Sequence, residues 1–225
     1  TETSPVIAVN SLLNKNYKFG TVGKPLPNVT VKIAADGEIL TKSDCVMMGY
    51  YKDEEKTSEV IKDGFFHTED IGELDKEGFL KITDRKKEIF KTSGGKYVAP
   101  QFIENNLKES RFIEQVMVVG EGEKMPAAFI VIDLAFVKEW AKRKNISIGD
   151  SIEEIAKNEL VNQRIEKVIH QINKRFGNWE QVKTFRIIPS TWSIESGELT
   201  PTLKLKRKFI KEKYINLYNE MYSNK

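Results

Sequence analysis

Hydrophobic and polar positions alternate over the first third of the chain, then fall at helical spacing. Val29–Ile33 alternates, and Asp36-Gly37 turns the chain into Glu38–Leu40, the signature of a hairpin. Asp63-Gly64 and Glu77-Gly78 punctuate further short runs at Phe65–His67 and Phe79–Ile82, with a short polar helix expected over Asp53–Val60. Residues 20–83 therefore predict a small, mostly β unit. From Asp84 the pattern changes. Ile89–Thr92 reads as a strand edge and Ser93-Gly94-Gly95-Lys96 as a loop. Pro100 opens a helix to about Ser110, with Phe102, Ile103 and Leu107 on one face. Val116–Val119 and Phe129–Ile132 are strand-like runs joined by Gly120–Pro126. Helices follow over Leu134–Lys144 and Ile152–Lys157, the second opened by a Ser151/Glu154 capping box. Val161, Ile165, Val168 and Ile172 predict a long helix to about Phe176. Phe185–Ile188 reads as a strand closed by Pro189, and Leu205, Phe209, Tyr214, Leu217 and Met221 as one basic C-terminal helix. The expected organisation is two units joined near Asp84–Lys87.

With 225 residues, 40% hydrophobic and 31% charged, the chain can bury a core and is not a disordered tail. A single cysteine, Cys45, excludes an internal disulfide framework and fits a reducing compartment. No apolar run approaches the ~20 residues of a membrane span. The chain opens at Thr1-Glu2-Thr3 without signal peptide or initiator methionine, and is expected to be a piece of something longer. Charge is uneven. Residues 1–83 carry 10 Lys+Arg against 14 Asp+Glu, and residues 84–225 carry 26 against 19. The second part suits anionic partners such as phosphates, nucleic acid or a membrane surface; the plainer reading is a solvated Lys/Glu surface.

Few constellations carry chemistry. Thr92-Ser93-Gly94-Gly95-Lys96 invites comparison with a phosphate loop, but Tyr97 replaces the Ser/Thr that would hold magnesium. Its two glycines still allow close backbone approach to a ligand, or merely a plain turn. His67 and His170 stand far apart without ligand-spaced partners, which argues against zinc; His170 is expected at the surface. No Gly-x-Ser-x-Gly element or Cys/His pair marks a covalent nucleophile. Asp70, Asp84 and Arg85 follow strand-like runs. A carboxylate there can accept two hydrogen bonds from vicinal hydroxyls, and Arg85 can bind a hydroxyl or a phosphate; a loop salt bridge is the simpler alternative. Thr200–Lys208 is the densest basic stretch, where a lysine before a helix can meet a phosphate as a point charge, or the tail can contact acidic lipid or nothing.

In order, these pieces resemble the AMP-forming acyl-CoA synthetases of the adenylate-forming superfamily. Thr1-Glu2 resembles the end of its Tyr-Gly-x-Thr-Glu motif, and Gly37–Leu40 with Gly49-Tyr50-Tyr51 its Gly-Glu-Leu…Gly-Tyr segment. Asp63–Asp70 resembles the stretch ending in Thr-Gly-Asp. Asp84–Ile89 through Gly94–Pro100 resembles the hinge motif and the loop after it, and the Lys204 stretch the C-terminal lysine motif. Two positions depart from the pattern: Glu69 and Leu203 stand where glycine is usual. The Thr-x-Thr-x-Lys variant and a helical insertion over about 134–182 resemble the long-chain fatty acyl branch.

The resemblance implies an α+β fold: a β-rich end of the large adenylating domain over 1–84, then a mobile α+β C-terminal lid domain over 85–225. It implies ATP, magnesium and CoA, with a long-chain fatty acid as substrate and no nucleic acid. Glu2 is implied as the magnesium carboxylate, Thr1 as the neighbour of the α-phosphate, and Asp70 with Arg85 as the ribose site. Lys87 is implied as the hinge, Gly94, Gly95 and Lys96 as the loop along the CoA passage, and Lys204 as the catalytic lysine. The phosphate loop and acyl tunnel precede Thr1 in this family, so the chain alone is expected to be inactive. The expected location is the cytoplasm, with peripheral contact at the inner membrane face. Two alternatives stand beside this: the tail of a nonribosomal-type adenylation domain, and a basic module binding a membrane surface or nucleic acid through residues 203–213.

Overall fold

The computed structural model describes residues 1–12 and 16–223. They form an α+β chain that divides into two compact units, Thr1–Ile89 and Phe90–Lys225. Arg85 and Lys87, expected to open the second domain, lie in the first unit.

The first unit is built on antiparallel strands. A small ladder pairs β1 (Ala8–Val9) with β2 (Lys24–Pro25). The main sheet holds β3 (Thr30–Ile33), β4 (Glu38–Lys42), β5 (Ile61–Lys62), β6 (Phe65–Leu74) and β7 (Leu80–Arg85). The β3–β4 hairpin turns at Asp36-Gly37 as expected, with Gly37 at φ 85°. Helix α1 (Glu54–Val60) is capped by the Asp53 carboxylate, which accepts from Lys56 N–H. Strand β6 runs ten residues, far past the expected Phe65–His67. Its extra residues are Thr68–Leu74, and the first three, Thr68-Glu69-Asp70, are polar like a loop yet lie half-buried. Along its length β6 pairs with β5 at Phe65–Phe66 and with β7 from Asp70 to Leu74.

The second unit is a three-stranded sheet covered on both faces. Strands β8 (Phe90–Lys91) and β9 (Tyr97–Val98) make a short hairpin before helix α2 (Pro100–Leu107). Strand β10 (Ile113–Val119) pairs antiparallel with β11 (Ala127–Ile132). Helices α3 (Leu134–Lys144), α4 (Ile152–Lys157) and α5 (Glu159–Asn173) then lead to β12 (Thr184–Ile187), parallel to β11. Every residue of β11 is buried, which explains its unbroken apolar run. Ala128, Ile130 and Ile132 pack in the core that includes Ile103, Val137 and Ile165, whereas Ala127, Phe129 and Val131 pack with Trp192, Ile210 and Tyr218.

Two expectations need correction. The α5 helix stops at Asn173, short of Phe176, because the Asn173 amide donates to Val182 O (2.9 Å) and accepts from Val182 N–H (3.1 Å), drawing the chain back. The single C-terminal helix is two, α6 (Arg207–Lys213) and α7 (Ile215–Tyr222). They break at Tyr214, whose hydroxyl bonds Ser190 Oγ at 2.8 Å and Glu198 at 3.3 Å.

Candidate functional site

In the first unit, one cavity of about 330 Å³ brings together five of the residues singled out in the sequence: Thr1, Glu2, Asp70, Arg85 and Lys87. Asp70 and Arg85 are cross-strand partners in the β6–β7 ladder, and Arg85 Nε lies 3.2 Å from Asp70 Oδ1. Asp70 is thus a mid-strand residue rather than a strand-end one. Thr68 Oγ1 steadies it, accepting from Asp70 N–H (3.1 Å) while donating to Ile39 O (2.8 Å). Asp84, the third candidate, is buried at 1% exposure, and its carboxylate accepts from Arg85 N–H at 2.6 Å, so it shapes the strand end rather than facing a ligand. Glu2 accepts from the Tyr50 hydroxyl at 3.2 Å. A hydrogen bond to its own backbone, aided by Tyr50 and outweighing burial, holds the Glu2 carboxyl below its ordinary value.

Glu69 explains how the cavity is shaped. Its φ is 59°, the left-handed region that favours glycine, although the residue is a glutamate. Such a position costs of order 1–3 kcal/mol and persists only where its surroundings hold it. Here Glu69 N–H donates to Glu38 Oε1 (2.9 Å), Glu69 O accepts from Lys86 N–H (2.8 Å), and Glu69 Oε1 lies 2.7 Å from Lys87 Nζ. The hydrogen bond to Glu69 raises the Lys87 pKa above its ordinary value.

Glu38 is the residue that sequence reasoning missed. It is 3% exposed and also accepts from Lys86 Nζ (2.9 Å) and lies 3.1 Å from His67 Nδ1. Burial pushes its carboxyl up, but Lys86, His67 and the Glu69 N–H together outweigh it and leave the pKa lowered. Local pattern gave no signal for it: alternation places Glu38 on the face of exposed Lys42, and it is buried next to a register shift between Glu38 and Leu40.

In the second unit, Thr200–Lys204 is a closed turn. Leu203 N–H donates to Thr200 O (2.8 Å), Thr200 N–H to Lys204 O (2.8 Å), and Lys204 N–H to Thr200 Oγ1 (3.0 Å). Leu203 sits at φ 59°, again in the left-handed region that favours glycine. The turn leaves Lys204 exposed. Its basic neighbours are engaged: Lys206 Nζ lies 5.4 Å from the Phe209 ring centroid, and Arg207 Nη2 donates to both carboxylate oxygens of buried Glu104, at 2.6 and 2.8 Å. Buried Glu198 anchors the same region, accepting from Lys213 Nζ (2.6 Å) and contacting Ser196 Oγ. The Thr92–Lys96 loop is a tight turn with Gly95 N–H on Thr92 O (2.9 Å) and Gly95 at φ 79°. Gly94, Gly95 and Lys96 are all exposed on it. His170 is exposed on α5, as expected. Among the described residues, no group of three His, Cys, Asp or Glu side chains forms a metal cage.

Residues 87–225 match the family model described as the AMP-binding enzyme C-terminal domain. The chain belongs to this family. As a family member it is 38% identical over 221 residues to the long-chain-fatty-acid–CoA ligase FadD15 of Mycobacterium tuberculosis, covering 98% of this chain and 36% of that protein. It is 36% identical over 223 residues to human long-chain-fatty-acid–CoA ligase 1, covering 92% of this chain and 32% of that one. The chain thus spans about a third of the length of the curated relatives it matches. Among solved structures, the adenylation domain of a carboxylate reductase from Mycobacterium chelonae matches with TM-score 0.71 and 23% identity, over 92% of this chain and 34% of that one. O-succinylbenzoate coenzyme A synthetase from Bacillus subtilis, solved with ATP and magnesium, matches with TM-score 0.67 and 23% identity over 93% and 39%. These two likenesses establish the fold.

Proposed function

We propose that this AMP-binding family chain is the C-terminal third of an AMP-forming long-chain fatty acid–CoA ligase, and that it is inactive alone. The observation that carries the reading is the cavity gathering Thr1, Glu2, Asp70, Arg85 and Lys87, all positions assigned by the resemblance. The identity to long-chain fatty acid ligases supports the choice of acid over a nonribosomal-type substrate.

Asp70 accepts the ribose hydroxyls of ATP, oriented by its pairing with Arg85, and Thr1 lies beside the α-phosphate. An ionised Glu2, kept so by its lowered pKa, fits the oxygen donor that magnesium takes alongside phosphate oxygens. Magnesium, when bound there, would neutralise charge on the phosphates. In the first half-reaction a fatty acid carboxylate oxygen bonds to the α-phosphorus as the bond to the β-phosphate oxygen breaks, releasing pyrophosphate. Two anions must meet, and the exposed Lys204 ammonium offsets their repulsion in the transition state. In the second, the CoA thiol sulfur bonds to the acyl carbon, AMP leaves, and the thiol proton passes to solvent. The Gly94-Gly95-Lys96 turn flanks the pantetheine in this step, after rotation about Lys87. With this reading goes a cytoplasmic location with peripheral membrane contact. Among the described residues no helix is long and apolar enough to cross a membrane.

The test separates the half-reactions in the full-length ligase. Lys204→Ala should slow palmitate-dependent pyrophosphate exchange by at least ~10² and largely spare CoA consumption from synthetic acyl-adenylate. Lys206→Ala and Lys208→Ala should leave both intact. If all three variants behave alike, the lysine assignment fails.

A further inference from the structure

We infer that the face formed by α3 and α5 in the second unit docks onto a bilayer surface bearing anionic headgroups. The inference deepens the proposed peripheral contact and moves it away from the basic C-terminal stretch. A cavity of about 360 Å³ opens between the two helices. Trp140, Ile146 and Leu160 supply its apolar part, and Lys144, Arg164 and Lys167 its cations. No carboxylate lines it among the described residues. Leu160 is 45% exposed although it is a large apolar side chain.

Helix electrostatics account for only part of this charge. Lys142, Arg143 and Lys144 close the last turn of α3, where they complement the helix dipole. Arg164 and Lys167 have no such reason, since they lie mid-way along α5, one turn apart, where like charges repel. Arg164 is also held in place before any ligand arrives. Its guanidinium stacks 4.5 Å from the Phe112 ring centroid, and Phe112 packs edge-on against Trp140 at 5.5 Å. Its Nε is buried with no hydrogen-bond partner among the described residues. Three cations lining one carboxylate-free opening are complemented by a phosphate or carboxylate head. The exposed leucine and half-buried tryptophan beside them suit the acyl boundary just below such heads. A rim of cations around apolar side chains is the composition of a surface-lying membrane contact rather than of an enclosed small-molecule site.

The experiment uses the whole chain and lipid vesicles, with no ATP, CoA or fatty acid, so its outcome does not depend on the ligase reading. Co-sedimentation should occur with phosphatidylglycerol-containing vesicles, not with pure phosphatidylcholine, and should weaken as salt is raised. Each cation near an anionic surface is worth roughly fivefold in binding, so Arg164→Gln/Lys167→Gln should weaken it on the order of twentyfold. Leu160→Ser, at an exposed position, should also weaken it without placing a charge one turn from Arg164. Lys206→Gln/Lys208→Gln should bind as the wild type does. The inference is overturned if anionic vesicles are not bound, or if both cavity variants bind normally. It is equally overturned if binding follows Lys206 and Lys208 instead. The same holds if monomeric decanoate perturbs Trp140 fluorescence while vesicles do not bind, which would make the cavity a site for free fatty acid.

Discussion

Replacing Glu38 with alanine removes the acceptor of three hydrogen bonds: Glu69 N–H at 2.9 Å, Lys86 Nζ at 2.9 Å and His67 Nδ1 at 3.1 Å. The losses are unequal. Lys86, with its side chain 45% exposed, keeps Asp36 at 2.7 Å, and the His67 side chain, 27% exposed, can turn to water. The Glu69 N–H loses its acceptor inside the sheet. A stranded donor costs about 1–3 kcal/mol and hydrogen bonds to a charged group are worth about 1.5–3, so the expected loss is about 3 kcal/mol. For a unit of this size that is a fall in Tm of roughly 15 °C. The assay can localise the effect, because all three tryptophans, Trp140, Trp179 and Trp192, belong to the second unit. The His67 ring resonances should report early unfolding of the first unit, while tryptophan fluorescence melts as in the wild type. A second arm isolates the strained turn. In a Glu69→Gly background the left-handed backbone needs no clamp, so Glu38→Ala should cost at least about 1 kcal/mol less than in the parent. A first-unit Tm lowered by under 3 °C, or strict additivity in the cycle, would refute the clamp.

Other expectations follow from the same geometry. Because folding lowers the Glu38 pKa from its ordinary 4.5, its contribution is complete above that pH and fades as pH falls through the lowered value. Lys86 is raised from 10.5, chiefly by Asp36, so its share is complete below that pH and fades as pH rises past it. Urea midpoints of the first unit should show both slopes, and the acid one should flatten in Glu38→Ala. Leu203 is 65% exposed at φ 59°, so Leu203→Gly should raise second-unit stability by about 0.5–1 kcal/mol in tryptophan-monitored unfolding; a loss would mean the leucine packs. In the full-length protein, the proposed hinge role predicts that Lys87→Pro impairs thioester formation more than adenylation by restricting φ, as read by the two half-reaction assays; equal loss would remove that role.

Much of this was legible wherever one physical rule acted alone. The α3 and α4 helices fell at their expected bounds because apolar spacing, the Ser151/Glu154 capping box and Asn145 at φ 54° agree there. The β10–β11 pair was visible because a strand buried on both faces is apolar throughout. Tertiary contacts hid the rest. Tyr214 breaks the C-terminal helix for a hydroxyl partnership with Ser190 and Glu198 that no local pattern encodes. Asp70 and Arg85 were each noticed, but their cross-strand pairing depends on a β6 strand whose polar middle looks like a loop. Glu38, Glu104 and Glu198 escaped because a carboxylate in sequence reads as surface, and only the partners reveal a buried one.

The central claim concerns what the full-length protein makes. It should be incubated with palmitate, ATP, magnesium and CoA, and its products separated by chromatography. The account predicts palmitoyl-CoA, AMP and pyrophosphate in equal amounts, with AMP release strictly dependent on the fatty acid and lost in Asp70→Ala. Formation of ADP and phosphate in place of AMP and pyrophosphate, or no response to a long-chain acid, would contradict it.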